Sequence, residues 1–176
     1  MAAKKNASVS AALPIDAPGR RRLPILLRHA WYSLNQTFRR RLARSGLTPD
    51  QFTALRTLSE HEPGGLTQSD LTRLIASDPN TVGALVERME RCGWIARAPH
   101  ERDRRANRLR LLPAGRGQYR RARKIAVALQ AAVLAKWSEK KRGEFLENLA
   151  WVSERCRALA DAPAKKKRRN SNSLRR

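Results

Sequence analysis

Cysteine is nearly missing from this chain. Cys92 and Cys156 are the two thiols in 176 residues. That is too few for a disulfide framework or a cysteine-based metal site. Two reduced thiols are the expected state. A redox sensor would need a thiol of depressed pKa, which spacing alone does not define. Histidine is also scarce. His61 and His100 fall in expected loops, and neither has a partner three or four residues away, so no metal is expected. The phosphate-cradling P-loop, the G-x-S-x-G nucleophile turn and the nucleotide-binding glycine fingerprint are all missing. No enzyme and no cofactor are expected. No apolar run approaches ~18 residues, and the N-terminus lacks the apolar segment of a secretion signal. The expectation is a soluble, cytoplasmic chain without a membrane partner.

Acidic residues are the other shortage. Lys and Arg number 38 against 15 Asp and Glu, a formal charge of +23. A chain this basic repels itself and attracts polyanions, nucleic acid first among them. The charge is uneven. Residues 1–22 set Lys4, Lys5, Arg20, Arg21 and Arg22 against Asp16. The tail sets Lys165, Lys166, Lys167, Arg168, Arg169, Arg175 and Arg176 against Asp161. Both ends are low in complexity and are expected to be disordered basic arms, 1–22 and 161–176. They leave +13 of the +23 on the middle, which is therefore basic in its own right.

The middle is rhythmic. Leu23, Leu26, Leu27, Ala30, Trp31, Leu34, Phe38 and Leu42 recur every three or four residues, the period of a helix face. Trp31 reads as a core residue of that helix, which should stop at Gly46. Thr48-Pro49-Asp50-Gln51 has capping-box spacing with proline in the first turn. Phe52, Leu55 and Leu58 form the face that follows, up to Pro63-Gly64-Gly65. Thr67-Gln68-Ser69-Asp70 opens a third helix, with Leu71, Leu74 and Ile75 as its inner face. Ser77-Asp78-Pro79 starts a fourth, with Val82, Leu85, Val86 and Met89 inward and Gly93 as its stop. Trp94–Arg97 and Leu109–Leu112 read as strands. A long helix follows from Pro113 to about Trp137, and another from about Ser138 to Ala160 with Phe145, Leu149, Val152 and Leu159 on one face.

Two short helices around a tight break, followed by a hairpin carrying Arg102, Arg104, Arg105 and Arg108, make a winged helix-turn-helix. The second helix would present Asn80, Thr81, Gly83 and Ala84 to a major groove, because Val82, Leu85 and Val86 point inward. The hairpin arginines would reach phosphates or the minor groove.

These segments together closely resemble the MarR family of bacterial transcription regulators, over about residues 23–160. The most specific stretches are Asp78-Pro79-Asn80-Thr81-Val82 leading to Gly93, then Asp103-Arg104-Arg105, then Leu112-Pro113-Ala114-Gly115. The resemblance implies a mainly α fold with a small two- to three-stranded β-wing. The winged helix-turn-helix would cover 48–113, and 23–47 with 114–160 would form a helical dimerisation region. It implies double-stranded DNA with a pseudo-palindromic operator as partner, a homodimer, and a repressor more often than an activator. The implied DNA-contact set is Thr67, Gln68, Asn80, Thr81, Gly83, Ala84, Arg88, Arg102, Asp103, Arg104, Arg105 and Asn107. Within it Arg105 matches the wing arginine that enters the minor groove, and Asp103 the acid that orients it. Gly83-Ala84 stand where the family often has Thr-Arg, Leu112 stands where a capping Thr is usual, and Arg102 is an added charge. Relatives often bind small aromatic acids beside the first helix, where Arg28, His29 and Tyr32 supply a cation and flat rings. Two other readings stay open: an architectural protein that coats DNA without reading it, and a thiol-based redox switch.

Overall fold

The structure is a computed structural model that describes residues 17, 22–99 and 107–162. Its element order is α1 (Leu23–Leu42), a 3-10 turn (Ala43–Ser45), α2 (Pro49–Glu60), β1 (Leu66–Thr67), α3 (Gln68–Leu74), α4 (Pro79–Arg91), β2 (Ile95–Pro99), β3 (Asn107–Leu111), α5 (Pro113–Val133) and α6 (Glu139–Asp161). The described residues fall into two compact units, one through Gln130 and one from Ala131. No helix among them is long and apolar enough to cross a membrane.

The first unit is a mostly helical body around a small antiparallel sheet of order β1-β3-β2. The punctuation in the sequence sets its boundaries. At Thr48 the backbone N–H donates to the Gln51 side chain at 2.9 Å, and Gln51 N–H donates back to Thr48 Oγ1 at 3.2 Å. This reciprocal box satisfies donors that the first helical turn would otherwise leave bare. At the other end of α4, Gly93 has φ +65°. Its N–H reaches Glu90 O at 2.8 Å while Trp94 N–H reaches Met89 O at 3.0 Å. That pair of bonds is a Schellman stop, which needs a left-handed residue after the last turn.

The core is one cluster. Leu42, Leu55, Leu58, Leu71, Val82, Val86, Met89, Ile95 and Leu109 are fully buried, with Phe38, Trp94 and Tyr119 packed around them. Phe52 stacks edge-on with Phe38 at 5.1 Å between ring centres. The four inward residues of α4 are all buried, as their spacing predicts.

Two expected faces of the first unit are only partly buried. Leu74 is exposed, because α3 ends there after two turns and only Leu71 is inward. Trp31, expected in the core, is 66% exposed, and Leu23, Ile25, Leu26 and Leu34 are exposed with it. In α1 only Leu42 is buried. The helical period is real, but most of its apolar side is exposed among the described residues. β1 is the third strand of the expected two- to three-stranded wing, though no stretch of the sequence reads as it. It is two residues long, so alternation had no length in which to register.

The second unit is built on α6. Ser138 caps it, and Arg142 Nε donates to Leu134 O at 3.1 Å. Trp137 and Phe145 meet at 4.8 Å. None of the residues of α6 is buried, and Leu149, Trp151 and Leu159 are exposed.

Candidate nucleic-acid interface

The geometry starts at Thr67. This residue ends β1, opposite Arg108 of β3. It also caps α3, accepting from Asp70 N–H at 3.0 Å and donating its hydroxyl to Asp70 Oδ2 at 2.7 Å. One threonine therefore ties α3 to the wing strand β3. Arg108 strengthens the tie: its Nη1 donates to Gly64 O at 2.9 Å.

Asp78 caps α4 by accepting Thr81 N–H at 2.9 Å. Its carboxyl is held below the usual range by the hydrogen bond from the Thr81 side chain, then by that N–H. Asp70 is likewise held low, first by the Thr67 hydroxyl and then by Arg73. Both carboxylates sit at helix starts, where exposed N–H groups and the helix dipole favour negative charge.

With Val82, Leu85, Val86 and Met89 turned inward, Asn80, Thr81, Ala84 and Arg88 are exposed on the opposite side of α4. Gly83 is half-buried, and the position its Cβ would take is 3.6 Å from Gln68 Nε2. Gln68, at the start of α3, thus lies over the glycine of α4. The structure brings these two predicted residues together, with Gly83 leaving room for the Gln68 amide. Asn107 begins β3 opposite Pro99 and is exposed. Arg102, Asp103, Arg104 and Arg105 lie outside the described residues.

One contact has no obvious trace in the sequence. Arg97 of β2 donates through Nε to Glu90 of α4, at 3.0 Å to Oε2 and 3.2 Å to Oε1. The two residues are seven apart and separated by the Gly93 turn, so no helix or strand spacing pairs them. The bond clips the wing strand to the helix that precedes it. A polar, capped helix start and a wing strand held to that helix form a surface that can enter a groove and grip the flanking backbone.

Arg28, His29 and Tyr32 lie on α1, all exposed. Tyr32 accepts from Gln36 Nε2 at 2.8 Å and lines an open recess of about 420 Å³ with Ser33, Gln36, Thr37 and Arg40. Arg28 and His29 are not in that recess. Among the described residues no group of His, Cys, Asp and Glu could hold a metal ion. Cys92 and Cys156 are free and exposed.

Comparison with known proteins agrees with this architecture. The MarR family model matches residues 45–106. The Rhodopseudomonas palustris transcriptional activatory protein BadR is 32% identical over 117 residues, covering 66% of this chain and 67% of BadR. The Mycobacterium tuberculosis HTH-type transcriptional repressor Rv2887 is 30% identical over 104 residues, 59% of this chain and 73% of its own. Among solved structures, the M. tuberculosis transcriptional regulator MOSR in complex with DNA superposes with TM-score 0.62 at 28% identity, over 78% of this chain and 99% of that one. CouR from Rhodococcus jostii, solved with p-coumaroyl-CoA, shares the fold with TM-score 0.68 at 18% identity, over 74% of this chain and 90% of its own. The capped helix pair, the three-stranded wing sheet and these relatives lead to one family: this chain is a MarR-family transcriptional regulator.

Proposed function

We propose that the chain is a cytoplasmic, homodimeric, sequence-specific repressor that is released from its operator by a small aromatic acid. The observation that carries the DNA part is the coupled unit of α4 and β2. The Asp78 cap fixes the start of the helix and the Arg97–Glu90 bond fixes the wing strand to it. Asn80, Thr81, Ala84 and Arg88 are the base- and backbone-facing side chains of the helix, and Arg105 is the wing residue that enters the minor groove. A twofold dimer sets two such helices about 34 Å apart, one turn of DNA, which calls for a pseudo-palindrome.

Curated relatives point to both signs of regulation, since BadR is named an activatory protein and Rv2887 a repressor. Repression is the simpler reading here, because it requires occupancy of a promoter and no further contact with polymerase. The effector part draws support from Tyr32 in its recess and from CouR, of the same fold, which was solved with an aromatic acyl thioester. A ligand there would favour a separation of the two reading helices that no longer fits the grooves.

Fluorescence anisotropy with the chain's own promoter and a random duplex tests the reading at moderate salt. Preference for the promoter by about 10³ or more is expected. Equal binding to both would show an architectural protein instead. Deleting the gene should raise transcription from that promoter, and a fall would make the chain an activator. A thermal-shift screen of aromatic acids, followed by DNA release, tests the effector.

A further inference from the structure

A second feature of the first unit is built on α1 and α5 rather than on α3 and α4. α1, the turn after it and α5 hold ten Lys and Arg and no Asp or Glu. Four of these cations, Arg40, Arg41, Arg44 and Lys124, line one open recess of about 500 Å³ together with Ile125 and Ala128. None of the four has an ion-pair partner among the described residues.

The elements that bear these cations are fastened together. Leu42 and Ala122, the inward neighbours of its cations, are fully buried. Gln118 of α5 donates through Nε2 to Ser45 O of the turn at 2.6 Å, fastening the two sides together. Arg121 in turn donates to the Gln118 side chain. Four like charges around one hollow repel each other, and a polyanion removes that repulsion while gaining charge-assisted hydrogen bonds.

We propose that this recess is a binding site for a small, multiply phosphorylated anion. A single carboxylate would match one of the four cations and leave three facing each other. A polyphosphate presents several charges within a few ångströms and can engage all of them. A duplex backbone is the competing occupant, and the promoter arm of the test separates the two. The Tyr32 recess shares Arg40 with this one, but Tyr32 lines only the former and Arg41, Arg44 and Lys124 line only the latter. Tripolyphosphate carries no ring, so its binding is read separately from that of an aromatic acid.

The test is calorimetric titration of the full-length protein with inorganic tripolyphosphate at near-physiological salt. A chain of +23 attracts any polyanion, so the comparison is between two variants of equal charge. Arg40→Gln/Arg44→Gln/Lys124→Gln empties the recess. Lys140→Gln/Arg155→Gln/Arg157→Gln removes three exposed cations of α6. All six side chains are exposed, and a thermal melt verifies folding of each. The proposal expects a loss of about tenfold in the first variant and less than about twofold in the second. Equal losses in the two would mean diffuse attraction and overturn it. Loss of promoter binding with tripolyphosphate affinity intact would also overturn it, and would make the recess a DNA-backbone surface.

Discussion

At the residue scale, two glycines show how the same change has opposite outcomes. A Cβ on Gly115 would lie 2.1 Å from Trp94 O, a backbone atom that cannot swing aside. That carbonyl also accepts Leu112 N–H at 2.9 Å, so it is pinned. Gly115→Ala should destabilise the fold by about 2 kcal/mol or more, through overpacking. A Cβ on Gly83 would meet Gln68 Nε2 at an ordinary 3.6 Å. Gly83→Ala therefore gains helix propensity, about 0.8 kcal/mol, without a clash. Chemical denaturation of the two variants should move the midpoint in opposite directions, and a shift of the same sign would refute the contact reading. Leu112-Pro113-Ala114-Gly115 was legible as a motif, but its cause was not. The cause is close approach to a residue twenty-one positions earlier, which no local pattern encodes. Arg105 makes a prediction in DNA binding. Arg105→Ala should weaken promoter affinity and lower the slope of log affinity against log salt by ~1, the signature of one lost phosphate-equivalent contact. An unchanged slope and affinity would leave that side chain without a role in binding.

At the scale of elements, the helix starts were the most readable part of the chain. Thr48, Thr67 and Asp78 all cap where the sequence places them, because a cap is a local bond within four residues. The same caps create an acid sensitivity. Asp70 and Asp78 are held below the usual carboxylate range in the folded state. Their contribution is fully present above the unfolded value of about 3.9 and is lost as pH falls through the lower folded values. Urea midpoints measured from about pH 5 downward should decline, and Asp70→Asn/Asp78→Asn should flatten that decline. An equally steep decline in the double variant would place the acid sensitivity elsewhere. The clip between α4 and β2 was not readable, since Glu90 and Arg97 meet only after the Gly93 turn folds. The pair is partly exposed, so breaking it with Glu90→Gln should cost less than about 1 kcal/mol of stability. Promoter affinity should fall by more than that cost explains, and the exchange Glu90→Arg/Arg97→Glu should restore part of it. Failure of the exchange to restore anything would mean that the ion pair does not hold the wing.

At the scale of the whole molecule, the apolar periodicity of α1 and α6 predicted burial that the described residues do not supply. Trp31 and Trp151 are 66% and 65% exposed, and Leu23, Leu26, Leu34, Leu149 and Leu159 are exposed beside them in their own helices. The period was read correctly, but the sequence does not say which molecule covers it. Apolar area of this extent on terminal helices is a feature of association surfaces, and a second copy is the partner that the proposed twofold reading of DNA requires. Each side chain of this size is worth about 2 kcal/mol when moved from water to a packed interface. Trp31→Glu and Trp151→Glu each place a charge on such a surface and should shift sedimentation toward the monomer. The winged unit has its own buried core, so its near-ultraviolet signal should survive. A monomer contributes one reading helix instead of two, and promoter affinity should fall far more than non-specific affinity. If both variants sediment like the parent chain, these tryptophans lie outside the association surface, and a different face must bring the two helices together.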